Sequence, residues 1–125
     1  MKNRFVLLVD DDRGVRESLG GALRSVGYAV TLASSGKEAL ELLHDTDFGL
    51  ALFDLDAPAG NGWETFEQAR KARPLLPLVL VTAHPGHRMR AVHEERVAVL
   101  EKPLDIPTLL EAMNKIVAQE TNANR

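Results

Sequence analysis

Residues 50–64 read LALFDLDAPAGNGWE. Leu50 to Phe53 are apolar, and the run stops at Asp54. Asp56 follows, then a loop of Ala, Pro, Gly and Asn before Trp63. A short apolar run that ends at a turn signal reads as a strand covered on both faces. A carboxylate at the end of such a strand costs free energy unless a cation, a donor or a reaction makes use of it. The rest of the chain therefore has to supply either a partner for Asp54 or a chemistry for it.

Other apolar runs repeat the pattern. FVLLV (5–9), YAVTLA (28–33), LVLVT (78–82) and VAVL (97–100) read as further strands. Between them, apolar residues recur at helical spacing. Val15, Leu19, Ala22, Leu23 and Val26 mark one helix, with Asp12 as its cap and Gly27 as its stop. Gly20 and Gly21 weaken it locally and suggest close packing or a soft middle. Ser34 or Ser35 caps a second helix carrying Ala39, Leu40, Leu42 and Leu43. A third lies near 62–72, with Trp63, Phe66 and Ala69 packing on one face. HPGH (84–87) reads as a loop, followed by a short polar helix near 88–95. The last helix begins around Asp105 to Pro107, with Leu109, Leu110, Met113, Ile116 and Val117 as its apolar stripe. Strand then helix, five times over, predicts an α/β fold with a parallel sheet between helices. Ligands in such folds bind at the carboxyl ends of the strands.

The bulk properties agree with that fold. The 125 residues are expected to form a single domain, 1–125, with a core of about 4–119 and a frayed tail at 120–125. Hydrophobic residues, at 45%, suffice for a core and argue against disorder. A net charge of −3 gives no electrostatic case for nucleic acid or an anionic membrane. The chain has no cysteine, which excludes disulfides, thiolate metal sites and cysteine nucleophiles. The run Phe5–Val9 is too short for a signal peptide or a membrane span, so a soluble, cytoplasmic protein is expected.

Polar residues stand at the ends of four of the five apolar runs. Asp10, Asp11 and Asp12 follow the first, and Asp54 follows the third. Thr82 ends the fourth, and Glu101, Lys102 and Pro103 follow the fifth. Parallel strands share a direction, so these groups gather at one edge of the sheet. Carboxylates gathered there repel and raise each other's pKa unless a cation balances them. Hard oxygen donors suit Mg²⁺, which takes one or two carboxylates, waters and a substrate phosphate. Lys102 adds a mobile positive charge and Thr82 a hydroxyl donor. Such a set suits a phosphoryl group attacked by an Asp oxygen. The residues by themselves point to a Mg²⁺-dependent aspartyl-phosphate site.

VDDD (9–12), DLDAPAGNG (54–62), VTAH (81–84) and EKP (101–103) occur in this order and at strand ends. Together they resemble the response-regulator receiver domains of two-component signalling, over essentially the whole chain. The resemblance implies a doubly wound (βα)₅ fold of flavodoxin-like strand order 2-1-3-4-5. It implies that Asp54 accepts a phosphoryl group from a histidine kinase phosphohistidine. Asp10, Asp11 and Asp54 would hold Mg²⁺, or Mn²⁺ in its place, with the backbone carbonyl of Asp56. Thr82 and Lys102 would bind the phosphoryl oxygens, and the Lys102–Pro103 bond would be cis. Asp56 and His84 would line the path of the hydrolytic water and tune the lifetime of the phosphoryl group. Self-phosphorylation and autodephosphorylation are implied, not turnover of a substrate. The implied donor is a sensor histidine kinase or a phosphotransfer protein. The face made by the fourth helix, fifth strand and fifth helix would switch and bind an output domain, a partner protein or a second copy. Contacts with nucleic acid or membrane are not expected of this domain. A stand-alone receiver, or the N-terminal piece of a longer regulator, is expected.

Three features depart from the family's habit. Ala57 stands where Met is common before the Pro. Val99 stands where an aromatic residue is common, so the usual switch that draws a ring inward behind Thr82 cannot run there. The stretch between Thr82 and Lys102 is about two residues shorter than common patterns, which predicts a short or irregular fourth helix. LFDLD also resembles motif one of haloacid-dehalogenase-type phosphatases, with Asp54 as nucleophile and Asp56 as general acid. Against that, the motif sits mid-chain, Ala57-Pro58 replace the usual Gly-Thr, and VDDD is left unexplained. A pseudo-receiver that binds partners without phosphorylation is the third reading, kept open by Val99 and Ala57. His84, His87 and His93 lack metal-ligand register and read as solvated surface, as do Arg88 and Arg90.

Overall fold

The apolar runs become the strands of the structure, a computed structural model in which residues 3–56, 62–91 and 94–123 are described. The strands are β1 (Phe5–Val9), β2 (Ala29–Ala33), β3 (Leu50–Asp54), β4 (Leu78–Thr82) and β5 (Val97–Glu101). They alternate with α1 (Arg13–Ser25), α2 (Gly36–Asp45), α3 (Gly62–Ala72), α4 (Pro85–Arg90) and α5 (Ile106–Ala123). The strands form one parallel sheet in the order β2-β1-β3-β4-β5.

The side-chain period of two divides the central strands between two cores. Leu7, Val9, Ala51, Phe53, Leu78 and Leu80 face one side, where Ala39, Leu43, Phe66 and Ala69 of α2 and α3 cover them. Val6, Leu8, Leu50, Leu52, Val79 and Val81 face the other, under Leu23 of α1 and Leu109, Met113 and Ile116 of α5. Burial on both faces is why β1, β3 and β4 read as unbroken apolar runs rather than alternating ones. The edge strands β2 and β5 are mostly half-buried.

Local signals set the ends. The Asp12 side chain accepts the Val15 N–H at 3.0 Å and caps α1. Ser35 caps α2 through the Glu38 N–H. Gly27 follows α1 at φ +101°, a conformation glycine adopts without a side-chain clash. Gly20 is buried, and a Cβ there would come within 3.2 Å of Leu32 Cδ2, so close packing explains this glycine.

Several expected boundaries move. Tyr28 lies before β2, and Asp54 and Glu101 belong to their strands. The fourth helix is short, as expected, but it spans Pro85–Arg90 instead of residues near 88–95. Pro85 is the reason: it occupies the first turn, where its fixed φ favours a helix start and its missing N–H costs nothing. The stretch read as a loop is thus the helix itself. Residues 92 and 93 of the expected segment, including His93, lie outside the described residues, as does Ala57. α5 continues to Ala123, into the stretch expected to fray, since no Gly or Pro interrupts it after Pro107. Among the described residues no helix is long and apolar enough to cross a membrane.

Candidate functional site

The strand order reverses between β1 and β3, and the crevice at such a switch point is where doubly wound sheets place their ligands. Here that crevice is acidic. One carboxylate oxygen from each of Asp10, Asp11 and Asp54 lies within 4.8 Å of the other two. Backbone bonds carry the ladder past the strand ends and fix the loops that bear these groups. Asp10 N–H donates to Ala33 O, Leu55 N–H to Val81 O, and Lys102 N–H to Thr82 O.

Asp10 is buried, at 6% exposure. Burial raises its carboxyl to about 6, aided by the negative charges of Asp54 and Asp11 and opposed by the Asp12 N–H it accepts. Asp54 accepts the Asp56 N–H at 2.8 Å on one oxygen and the Lys102 ammonium at 3.0 Å on the other. Lys102 also sits 3.3 Å from Asp56 Oδ2. Burial alone would lower the lysine's pKa, but hydrogen bonds and charge from Asp54 and Asp56 outweigh it and raise the value. The Lys102–Pro103 bond is cis.

The Asp56 carboxylate is the hub of a second cluster. It accepts the Thr82 hydroxyl at 2.8 Å and the Ala83 N–H at 2.6 Å. Burial pushes its pKa up, yet the Ala83 N–H, the Thr82 hydroxyl and Lys102 together hold it below the usual carboxylate range. An acid held ionised in this way has no proton to give at neutral pH, which speaks against a general-acid Asp56. His84 is largely exposed, and its Nε2 stands 3.7 Å from Asp56 Oδ1. Thr82 is fully buried, and its Oγ1 lies 2.7 Å from Nδ1 of His87. His87 stacks on Trp63 at 5.8 Å between centroids, and the Arg90 guanidinium lies 4.1 Å from the same indole ring.

The sequence-derived set is thus brought together at one sheet edge: Asp10, Asp11, Asp54, Asp56, Thr82 and Lys102, with His84 at the rim. Val99 sits apart in β5, half-buried and opposite Leu80, and its carbonyl accepts from Arg88 of α4 at 3.0 Å. One reading is corrected and one is extended. His87 is half-buried against Thr82 rather than solvated, because α4 starts early enough to turn its ring inward. Trp63 does pack on the core, but it also carries His87 and Arg90. Beside the acids lies a cleft of about 540 Å³, lined by Val15 and Leu19 of α1, by Pro103 and Leu104, and by Asp54 and Lys102.

Comparison with known proteins agrees with this geometry. The family model described as "Response regulator receiver domain" matches residues 6–114. The transcriptional regulatory protein GlrR of Escherichia coli K12 is 33% identical over 98% of this chain, which spans 28% of that protein's length. A CheY-like receiver domain protein from Methanospirillum hungatei superposes with a TM-score of 0.88 at 28% identity, covering 97% of this chain and 98% of that one. The response regulator TrrA of Thermotoga maritima, solved in complex with Mg(2+)-BeF, does so with a TM-score of 0.80 at 26% identity, covering 90% and 98%. With the five-stranded order, the acidic crevice and these likenesses in hand, the chain belongs to the receiver domains of two-component response regulators, which are phosphoacceptor signalling domains and not turnover enzymes.

Proposed function

We propose that Asp54 of this receiver accepts a phosphoryl group from a protein phosphohistidine or a small phosphodonor. The observation that carries the reading is Asp54 held 3.0 Å from Lys102 and within 4.8 Å of the Asp10 and Asp11 carboxylates. In the transfer, an Asp54 oxygen forms the new P–O bond as the P–N bond of the donor breaks, and the imidazole leaves with the electron pair. Lys102 follows the charge from the Asp54 oxygen onto the phosphoryl oxygens. The Thr82 hydroxyl reaches the same oxygens once it leaves Asp56.

The donor set fits a hard divalent cation. Carboxylate oxygens of Asp10, Asp11 and Asp54, with the Asp56 carbonyl, would hold Mg²⁺, and Mn²⁺ suits the same ligands. Bound there, the ion supplies neutralisation of phosphoryl charge. His84 stands at the rim, where a hydrolytic water enters, and with the Asp56 carboxylate 3.7 Å away it sets the lifetime of the phosphoryl group. The domain phosphorylates and dephosphorylates itself without turning over a substrate. A sensor histidine kinase or phosphotransfer protein donates, reaching Asp54 past the cleft beside α1. The face of α4, β5 and α5 serves an output domain, a partner or a second copy, and the domain works in the cytoplasm.

Intact mass after incubation with Mg²⁺ and acetyl phosphate tests this. One phosphoryl group is expected on the wild type and none on Asp54→Asn. Equal uptake by Asp54→Asn contradicts the assignment. Turnover of phosphomonoesters without an adduct would instead support a phosphatase, and no adduct at all a binding platform.

A further inference from the structure

Val99 leaves β5 without a ring to answer a movement of Thr82, but Thr82 already touches a ring. Among the described residues its Oγ1 has three polar neighbours: the His84 N–H at 3.0 Å, Asp56 Oδ1 at 2.8 Å and His87 Nδ1 at 2.7 Å. A hydroxyl has one proton and two lone pairs. The His84 N–H takes one lone pair. Asp56, a carboxylate that also accepts the Ala83 N–H and faces Lys102, takes the proton. His87 must then carry its hydrogen on Nδ1 and donate it into the second lone pair. The capacity of the buried hydroxyl is full, so a phosphoryl oxygen on Asp54 can receive the Thr82 proton only if Asp56 gives it up. That turn of the hydroxyl also takes the acceptor away from His87.

The imidazole is placed to pass this on. It stacks on Trp63 of α3 with an interplanar angle of 21°, and Arg90, one turn further along α4, lies over the same indole. Trp63 in turn meets Phe66 of the core edge-on at 5.0 Å. Accepting Asp54 as the phosphoacceptor, we propose that His87 is the positioning residue of the Thr82 switch. It holds the Thr82 hydroxyl toward Asp56 in the unphosphorylated domain, and phosphorylation of Asp54 breaks that bond and resets the His87–Trp63–Arg90 stack between α3 and α4. The signal thereby leaves the site through α3 and α4 in place of a ring on β5.

Trp63 is the single tryptophan of the chain and reports directly on the stack. Its emission is measured in Mg²⁺ before and after acetyl phosphate, with the adduct quantified by mass on the same samples. The wild type is expected to change emission as the adduct forms, beyond the effect of Mg²⁺ alone. His87→Leu is expected to form the adduct but lose that change. In the wild type, the ¹⁵N resonance of His87 Nδ1 is expected to shift on phosphorylation, a readout that needs no variant. An emission change as large in His87→Leu as in the wild type overturns the proposal. So does an unmoved Nδ1 resonance in a fully phosphorylated sample. If no adduct forms on the wild type, the phosphoacceptor reading itself fails, and this proposal with it.

Discussion

Lys102→Met is expected to slow phosphoryl uptake from acetyl phosphate by roughly 10²- to 10³-fold, the cost typical of removing one group that meets developing charge. Among the described residues Lys102 is the cation paired with Asp54, at 3.0 Å, and it lies 3.3 Å from Asp56. Methionine keeps the length and the apolar stem of the side chain, so packing against the cleft changes little. What goes is the ammonium that, on the proposed reading, would follow the negative charge onto the phosphoryl group. The fold itself is expected to lose little. The lysine is about a third exposed, and an ion pair open to water contributes only on the order of 1 kcal/mol. The time course of adduct formation by mass, read beside a urea melt, separates the two effects. An unchanged rate in a folded variant contradicts the role given to Lys102.

Asp10→Asn is expected to do the reverse: to stabilise the metal-free fold while weakening Mg²⁺ binding. Asp10 is buried in the acidic crevice, and its carboxyl is raised from 3.8 to about 6, first by burial and then by the charges of Asp54 and Asp11. Its folded-state pKa lies above its unfolded value. The native state therefore binds more protons between the two, and stability is fully present below pH 3.8 and is lost as pH rises through about 6. At pH 7 the ionised group costs the fold about 1–3 kcal/mol. The Asn oxygen can still accept the Asp12 N–H, which Asp10 accepts at 2.9 Å, so the local turn survives without the charge. Urea melts of both proteins in EDTA, at pH 5 and pH 8, should show the wild type losing stability across that interval and the variant losing less. Adding Mg²⁺ should stabilise the wild type and hardly affect the variant. A variant less stable than the wild type in EDTA at pH 8 contradicts this account of the crevice.

Much of this site was readable because its chemistry sits at strand ends. Asp10, Asp54, Thr82 and Lys102 each follow or close an apolar run, and a parallel sheet turns that sequence position into spatial proximity. The doubly buried central strands were readable for the same reason, since two-sided burial leaves an unbroken apolar run. α4 was harder to place. His84-Pro85-Gly86-His87 carries two strong turn residues, and the helix forms because Pro85 falls where a proline is harmless. The partners of His87 could not be read at all. No spacing along the chain encodes that its Nδ1 meets a hydroxyl buried at the end of β4, or that its ring lies on Trp63 from α3. Asp56 was half readable. Its place beside Asp54 was plain, but its grip on Thr82 and Ala83 depends on how the loops after β3 and β4 face each other.

The central claim is that the phosphoryl group resides on Asp54. Borohydride reduces an aspartyl phosphate to homoserine and leaves free carboxylates untouched, so it marks the acceptor chemically. Treating the phosphorylated protein with borohydride, digesting it and reading the peptides by mass should place homoserine at position 54 alone. Homoserine at Asp10, Asp11 or Asp56, or none in a sample whose intact mass shows the adduct, would contradict the account.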